Sequence, residues 1–133
     1  MLVYLDSSAI VKLVQREDES RELLAFLAGT SERITSVVAT IEVLRAARRT
    51  TSSTRALRRA DQVLAGLGLV ELDGSIRARA AEIEPKTLRT LDAIHVATAL
   101  ELSDDVTGFL TYDERQADAA RRAGLTVSSP GIG

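Results

Sequence analysis

Cysteine is absent from the sequence, and its absence excludes several kinds of site. A chain without cysteine has no disulfide, no thiolate nucleophile and no thiolate-bound zinc. His95 is the only histidine, so a site built from several imidazole ligands is excluded as well. Any metal ion would therefore have to be bound by oxygen atoms.

Aromatic residues make up only 3% of the chain, and long apolar runs are missing. With so few rings, base stacking cannot dominate recognition if the ligand is a nucleic acid. No stretch approaches the roughly 20 apolar residues of a membrane span. Asp6 interrupts the apolar start of the chain, where a signal peptide would continue. We therefore expect a protein of the cytoplasm, without a membrane segment.

The composition that remains is that of one ordinary globular domain. The length of 133 residues suits a single domain, and 45% hydrophobic and 27% charged residues are usual values. A net charge of −2 does not by itself indicate a nucleic-acid binder. The segment 43–60, however, has no acid and contains Arg45, Arg48, Arg49, Arg55, Arg58 and Arg59. This segment is either a track for an RNA backbone or the solvated face of two helices.

Strand-like and helix-like stretches alternate along the chain. The strand patterns are "LVYL" (2–5), "RITSVV" (33–38), "LVEL" (69–72), "TGFLTY" (107–112) and the start of "LTVSSPGIG" (125–133). The helical patterns cover 8–17, 19–29, 39–49, 55–68, 75–84, 90–102 and 114–124, with a polar break at 50–54. Strands separated by helices indicate a parallel sheet, because parallel strands need crossovers. We predict one domain over 1–133, a three-layer α/β/α sandwich with a mainly parallel five-stranded sheet.

Some details of the helices also follow from the pattern. Ser7 or Ser8 is the expected N-cap of the first helix, and Thr90 is a candidate cap for the helix over 90–102. The apolar stripe of that later helix is predicted to consist of Leu91, Ile94, Ala97 or Thr98, and Leu102.

Four acids from distant segments are expected at one edge of the sheet. Asp6 and Asp113 follow the first and fourth predicted strands, Glu42 lies one turn into a helix, and Asp92 opens another. Sites in open parallel sheets form outside the carboxyl ends of the strands. Two negative charges roughly 4 Å apart repel by about 4 kcal/mol at an effective dielectric near 20. The acids must therefore share protons or bind a cation.

Oxygen ligands favour Mg²⁺ or Mn²⁺ over zinc or copper. Such an ion acidifies a bound water and stabilises charge on a phosphoryl oxygen, which is the chemistry of phosphodiester hydrolysis. A simpler interpretation stays open for each acid alone. Asp6, Asp92 and Asp113 lie near helix starts, where aspartate caps are worth about 1 kcal/mol, and Glu42 alone suits a solvated helix. Capping does not explain an acid on the apolar-flanked side of "ATIEVL".

The motifs "LDSSAIVKL", "ATIEV", "LRTLDAIHVATAL" and "FLTYDERQADAA" resemble, in order and spacing, those of PIN-domain ribonucleases. The resemblance covers nearly the whole chain and is greatest to the VapC toxins of VapBC toxin–antitoxin modules. It implies that Asp6, Glu42, Asp92 and Asp113 form a catalytic, metal-binding quartet. The implied activity is Mg²⁺-dependent endonucleolytic cleavage of RNA, with Mn²⁺ able to substitute, and consequent inhibition of translation.

The resemblance also implies partners and a location. It predicts a transfer or ribosomal RNA substrate, a VapB-type antitoxin, a toxin homodimer, and a heterotetramer or larger assembly with the antitoxin, in a bacterial or archaeal cytoplasm. As metal ligands we expect Asp6 and Asp92 directly, and Asp113 directly or through water. Glu42 is expected to orient or deprotonate the attacking water, and also to touch a second cation if one is present.

Other residues are candidates for supporting roles. Ser8 and Thr111 lie close enough in sequence to bind a carboxylate or a phosphate, although Ser8 also suits a helix cap and Thr111 a strand. Arg89 and Arg115 flank the acids and suit either a phosphate contact or a surface salt bridge. His95 follows Asp92 by three residues on the same helical face, where it either packs between helices or binds a carboxylate or phosphate.

Three other functions compete with the nuclease. An aspartyl phosphatase would use Asp6 as nucleophile, but Ser8 occupies the position where that chemistry needs a second acid. A phosphate-receiver domain needs a late lysine, and Lys12 and Lys86 are misplaced for it. A catalytically inactive PIN-like module would use its acidic edge to bind an arginine-bearing protein.

Overall fold

The computed structural model describes residues 1–50 and 54–132. Over these residues the strands are β1 (Leu2–Leu5), β2 (Glu32–Ser36), β3 (Gly68–Val70), β4 (Val106–Leu110) and β5 (Val127–Ser128). The helices are α1 (Ser7–Val14), α2 (Ser20–Leu27), α3 (Val38–Thr50), α4 (Thr54–Ala65), α5 (Gly74–Ala81), α6 (Thr90–Glu101) and α7 (Glu114–Arg122). The centre of the predicted break at 50–54 lies outside the described residues, and its two ends are helical.

The sheet has the order β3-β2-β1-β4-β5, and every adjacent pair is parallel. The predicted α/β class and five-stranded sheet are therefore confirmed. The next two strands in the chain, β2 and β3, lie on one side of β1, and the last two, β4 and β5, lie on the other. The boundary between β1 and β4 is thus a topological switch point, where open parallel sheets bind their ligands. Asp6 follows β1, and Asp113 follows β4.

Two apolar layers cover the faces of the sheet. Val3 and Leu5 of β1 pack into a buried cluster with side chains from α1, α2, α3 and α4. Tyr4, between them in sequence, points to the opposite face and packs with Phe109, α6 and α7. This alternation is the period of two expected for a strand with both faces buried. It confirms the three-layer α/β/α arrangement.

The predicted N-cap of the first helix was wrong. Asp6, rather than Ser7 or Ser8, caps α1, since its side chain accepts a hydrogen bond from the Ala9 amide. The extended backbone of Asp6 (φ −81°, ψ 178°) is the conformation that an N-cap needs. The helix therefore begins one residue earlier than the pattern suggested, and Ser8 is left free to bind elsewhere.

The predicted apolar stripe of α6 was right at Ile94, Ala97 and Thr98, which are buried, and wrong at Leu91. Every residue from 92 to 99 is buried, whereas Leu91 is 45% exposed. The cause is that α6 packs against the sheet and against α5 and α7, and a helix enclosed in this way needs no polar face. Arg89, not Thr90, occupies the N-cap position, and its side chain makes no capping hydrogen bond.

Helix ends differ from prediction by a few residues. The first helix ends at Val14 instead of 17, because Ser20 Oγ donates to the Lys12 carbonyl at 2.7 Å and accepts from the Glu17 amide at 2.9 Å. Gly124 follows α7 and adopts φ +98°, a conformation that favours glycine. Within the described residues, no helix combines the length and apolarity needed to cross a bilayer.

Candidate active site

The sequence-predicted acids are carried by four elements. Asp6 and Asp113 are the N-caps of α1 and α7, directly past the carboxyl ends of neighbouring strands. Asp92 lies in the first turn of α6, and Glu42 lies in the second turn of α3. Shared hydrogen-bond partners connect Asp6 to Asp113 and Asp113 to Asp92, whereas Glu42 has partners of its own.

Asp6 is nearly inaccessible, with 1% of its surface exposed. Its Oδ1 accepts from the Ala9 amide at 2.9 Å and from Ser8 Oγ at 2.6 Å, and its Oδ2 accepts from Thr111 Oγ1. Burial raises the pKa of Asp6 above its ordinary value, by more than His95 and these three donors lower it. The ionised carboxylate is therefore held by several donors but lacks a full positive partner.

Ser8 and Thr111 extend this arrangement toward β4. Ser8 Oγ also accepts from the Tyr112 amide at 2.9 Å, and Thr111 Oγ1 accepts from the Asp113 amide at 3.1 Å. Each hydroxyl thus joins Asp6 to the loop that follows β4. The capping role expected for Ser8 was wrong, because Ser8 binds the capping residue.

Glu42 is held by groups from α1 and α6. Its Oε1 accepts from Ser7 Oγ at 2.5 Å and contacts His95 Nε2 at 2.7 Å. On the other side of the ring, His95 Nδ1 lies 2.7 Å from the Tyr4 hydroxyl, which accepts from the Ser36 amide at 3.1 Å. A proton on Nε2 lets His95 donate to Glu42, while Nδ1 pairs with the Tyr4 hydroxyl.

Burial raises the pKa of Glu42, but the hydrogen bond and charge of His95, together with Ser7 and Arg89, outweigh it. The net result is a pKa below the ordinary value, so Glu42 is ionised at neutral pH. Both interpretations offered for His95 hold. It is buried within the helix packing, edge-on to Tyr4, and it also binds a carboxylate.

Arg89 connects the remaining two acids. Its Nε lies 3.1 Å from Asp92 Oδ2, and its Nη2 lies 3.1 Å from Asp113 Oδ2. Gln116 of α7 contacts the same two acids. Its side-chain Nε2 donates to Asp92 Oδ1 at 3.0 Å, and its backbone amide donates to Asp113 Oδ1. Each carboxylate therefore accepts a hydrogen bond from Gln116 through one oxygen and pairs with the guanidinium of Arg89 through the other.

The donor set suits a hard divalent cation. All four acids offer oxygen, and the buried Gln116 Oε1 beside them has no hydrogen-bond partner among the described residues. As the side chains stand, no three acidic or imidazole groups in the described part of the chain enclose one ion. Arg89 contacts an oxygen of Asp92 and of Asp113, so an ion shared by these acids requires Arg89 to move.

Of the four acids, Glu42 lines a groove of about 360 Å³, whose other lining residues are Ser7, Ser8, Val11, Lys12, Glu17, Ala46, Arg49 and Tyr112. Arg49 is exposed at the rim of this groove, whereas the charge of Lys12 is paired with Glu17 at 3.3 Å and Glu19 at 3.0 Å. A larger cavity of about 710 Å³ lies between α5 and α6, but none of the four acids lines it. The candidate site is therefore identified by its acidic side chains and not by the size of a cavity.

Other basic residues lie farther out. Arg115 is exposed and forms no ion pair with any residue that the structure describes, so the structure does not bring it to the acids. The six arginines of the segment 43–60 are all exposed on α3 and α4. Of these, Arg49 lines the groove beside Glu42.

Three residues of the network were not singled out from the sequence. Gln116 follows Asp113 by three residues, which is the spacing of an N-cap and its amide partner, but nothing in that spacing indicates its contact with Asp92. Ser7 was considered only as a cap. Tyr4 carried a usable signal, since a tyrosine in a buried strand needs a partner for its hydroxyl.

Comparison with known proteins gives a consistent assignment. The PIN domain family model matches residues 3–122. Ribonuclease VapC46 of Mycobacterium tuberculosis is 45% identical over 128 residues, covering 96% of this chain and 97% of the relative. Ribonuclease VapC35 of the same species is 40% identical over 134 residues, covering 98% of each protein.

Solved structures share the fold at lower identity. FitAB bound to an IR36 DNA fragment contains a chain that matches with a TM-score of 0.75 and 20% identity, covering 100% of this chain and 97% of that one. VapC20 of Mycobacterium tuberculosis, a toxin that cleaves the sarcin–ricin loop, matches with a TM-score of 0.72 and 14% identity, covering 96% and 99%. By its family match and its close relatives, this chain belongs to the PIN-domain family and, within it, to the VapC ribonucleases.

Proposed function

We propose that this VapC ribonuclease is an endoribonuclease that uses Mg²⁺, or Mn²⁺ in its place, and that acts as the toxin of a type II toxin–antitoxin pair. The observation that carries the proposal is how the acids share neighbours beside the topological switch point of the sheet. Thr111 contacts Asp6 and the Asp113 amide, Arg89 and Gln116 each contact Asp92 and Asp113, and the charge of Arg89 also lowers the pKa of Glu42. A structural role alone does not require four acids at one such edge, since each acid added there increases the repulsion.

Asp6, Asp92 and Asp113 are the residues that would hold the metal ion. When bound, a divalent cation lowers the pKa of water and stabilises negative charge on a phosphoryl oxygen. Ser8, Thr111 and Gln116 fix the orientation of these carboxylates, because each donates a hydrogen bond to Asp6 or Asp92. These donors hold the carboxylate oxygens in position and leave their negative charge in place.

Glu42 is suited to act on the attacking water. Ser7 and His95 occupy its Oε1, while no described residue donates to Oε2. Oε2 can therefore accept the water proton as the water oxygen forms a bond to phosphorus. The bond from phosphorus to the departing ribose oxygen breaks, and that oxygen takes a proton from solvent. Arg49, which is exposed at the groove rim, is our candidate for contacts to flanking phosphates.

RNA is the proposed substrate class, either transfer or ribosomal RNA. The exposed arginines on α3 and α4 supply backbone contacts that a net-negative protein otherwise lacks. Arg115 is a further candidate for such a contact, at the exposed start of α7. The proposed site of action is the cytoplasm, where cleavage of transfer or ribosomal RNA would inhibit translation.

A VapB-type antitoxin is the proposed regulator. The similar structures include VapBC2 of Rickettsia felis bound to a promoter DNA fragment, so that toxin forms a complex with an antitoxin. For this chain we propose a homodimer that assembles with the antitoxin into a heterotetramer or larger complex. An arginine from the partner would compete with metal at Asp92 and Asp113, as charge compensation predicts.

The test compares RNA cleavage in Mg²⁺, in EDTA, and by a variant with all four acids replaced by alanine. We expect cleavage only for the wild-type chain in Mg²⁺. Cleavage that persists in EDTA would contradict the metal mechanism, and a folded wild-type chain that cleaves no cellular RNA in Mg²⁺ or Mn²⁺ would favour the inactive binding module. The phosphatase alternative has no support from the geometry, because both Asp6 oxygens are engaged and buried.

A further inference from the structure

The guanidinium of Arg89 lies between two of the four acids. Nε donates to Asp92 Oδ2 and Nη2 donates to Asp113 Oδ2, each at 3.1 Å. These contacts join the start of α6 to the start of α7. One positive charge is therefore shared by two carboxylates that both belong to the proposed metal site.

The position of Arg89 in its helix does not account for an arginine. Arg89 is the N-cap of α6, where serine, threonine, aspartate and asparagine are preferred because their side chains bind the free amides. Its side chain makes no such bond, and the partial positive charge of a helix N-terminus opposes a cation there. The two acids explain the residue, whereas the helix alone does not.

We propose that Arg89 is the resident counter-ion of the site. Its one positive charge offsets part of the negative charge of Asp92 and Asp113 while the metal is absent, and it leaves them when a divalent cation binds. This inference rests on the proposed function. Arg89 and a cation bound by the same Oδ2 atoms carry like charges at close range, so they exclude each other. The Arg89 side chain is 70% exposed, and it can therefore rotate into solvent without opening the core.

The released guanidinium gains a new partner in the substrate. A planar guanidinium binds phosphate oxygens in a bidentate manner, and Arg89 is anchored at the same edge as the acids. Arg89 thus exchanges two carboxylates for an RNA phosphate. Arg89 therefore supplies compensating positive charge before the metal binds, and the metal supplies it afterwards.

The test is Mn²⁺ binding by isothermal titration to the purified full chain, without RNA or antitoxin. Arg89→Gln removes the charge and introduces no favoured cap. Arg121→Gln is the matched control, since Arg121 also pairs with an aspartate three residues away on an exposed surface, at 3.5 Å, but outside the site. Arg89→Gln should bind Mn²⁺ about three- to tenfold more tightly than the wild type, because exposed ion pairs are weak competitors. Arg121→Gln should bind Mn²⁺ as the wild type does.

A second measurement addresses the phosphate contact. At saturating Mn²⁺, Arg89→Gln should raise KM for RNA by more than it lowers kcat, while the apo melting temperature shows whether the variant is folded. Unchanged or weaker Mn²⁺ binding by a folded Arg89→Gln chain would overturn the inference and leave the proposed function standing. A wild-type chain that binds no Mn²⁺ at millimolar concentration would overturn the proposed metal site, and the counter-ion role with it.

Discussion

Asp6 shows at the scale of a single residue how a site can cost stability. Its carboxylate is buried against the end of β1 and receives three hydrogen bonds, yet burial still raises its pKa. Because the folded pKa is raised, folding disfavours the ionised form. The penalty is absent well below pH 3.8, the ordinary value, and grows as the pH rises through the folded pKa. A bound cation offsets that penalty at neutral pH.

We therefore predict that Asp6→Asn abolishes metal-dependent cleavage without lowering the melting temperature of the metal-free chain at pH 7. Any stability gain should shrink at acid pH, where wild-type Asp6 is protonated. Asp73→Asn is the control, since Asp73 caps α5 in the same manner, away from the acids. RNA cleavage and thermal melts measured from pH 3 to pH 8 check this. A variant that cleaves at the wild-type rate would remove Asp6 from the site.

Glu42 shows the opposite shift. Its pKa is depressed, so its ionised form contributes stability that is complete above pH 4.5, its ordinary value, and is lost as the pH falls through the lower folded pKa. Ser7→Ala removes one donor to Oε1, and His95→Phe removes the other.

Each change should raise the pKa of Glu42 and move the acid limb of the pH–kcat/KM profile to higher pH, with the larger shift for His95→Phe. Ser75→Ala, on the exposed side of α5, is the control. Because His95 is buried, its substitution also costs about 1–3 kcal/mol of stability, since the Tyr4 hydroxyl loses its partner at His95 Nδ1. The result for the milder Ser7→Ala therefore decides whether Glu42 is the group that titrates in the acid limb. An unshifted acid limb in this variant would exclude Glu42.

Of the four acids, Asp6 and Asp113 had places that were predictable from sequence, because a residue that follows a buried strand has a known place in a parallel sheet, whereas Glu42 and Asp92 lie in helices. Their donors were not predictable to the same degree. Gln116 reaches Asp92 across two helices, and Ser7 reaches Glu42 from α1 to α3. Such contacts depend on how the helices pack, which no local pattern encodes.

At the scale of an element, the start of helix α7 allows the capping role of Asp113 to be separated from its proposed catalytic role. Asp113 accepts from the Gln116 amide as the N-cap and also faces Arg89. Asp113→Asn keeps a favoured cap and loses the charge, whereas Asp113→Ala loses both. We expect both variants to lose most RNA cleavage, and only Asp113→Ala to lose about 1 kcal/mol of unfolding free energy in urea. Wild-type activity in Asp113→Asn would show that Asp113 serves as a cap alone.

Helix α6 explains why one sequence prediction failed. Its pattern suggested a single apolar stripe that included Leu91, but the helix is enclosed by the sheet, α5 and α7, and is buried nearly all round. The periodicity argument assumes one solvated face, and enclosure removes it. Asp92 and His95 are buried for the same reason, and their polar groups are satisfied within the site.

A pair of substitutions in α6 tests this corrected packing. Leu91→Gln should change the free energy of unfolding by less than about 0.5 kcal/mol, because Leu91 lies at the surface. Val96→Ala should cost about 1–3 kcal/mol, because Val96 is fully buried. Urea denaturation measures both. Equal effects, or a larger loss at Leu91, would restore the predicted stripe.

At the scale of the whole molecule, the order of the elements determined what the sequence could reveal. Strands alternating with helices allow few topologies, so the three-layer architecture followed from the pattern. The strand order β3-β2-β1-β4-β5 did not, although it is this order that makes β1 and β4 neighbours and brings Asp6 near Asp113. The site is thus a property of the topology, with the acids contributed from positions 6, 42, 92 and 113.

The most direct test of this account is a crystal of the chain soaked in saturating Mn²⁺, with an anomalous difference map at the manganese edge. The account predicts a peak bonded to carboxylate oxygens of Asp6, Asp92 and Asp113, with Arg89 turned away from Asp92 and Asp113. A map with no peak among these residues, and with Arg89 still bridging the two aspartates, would contradict it.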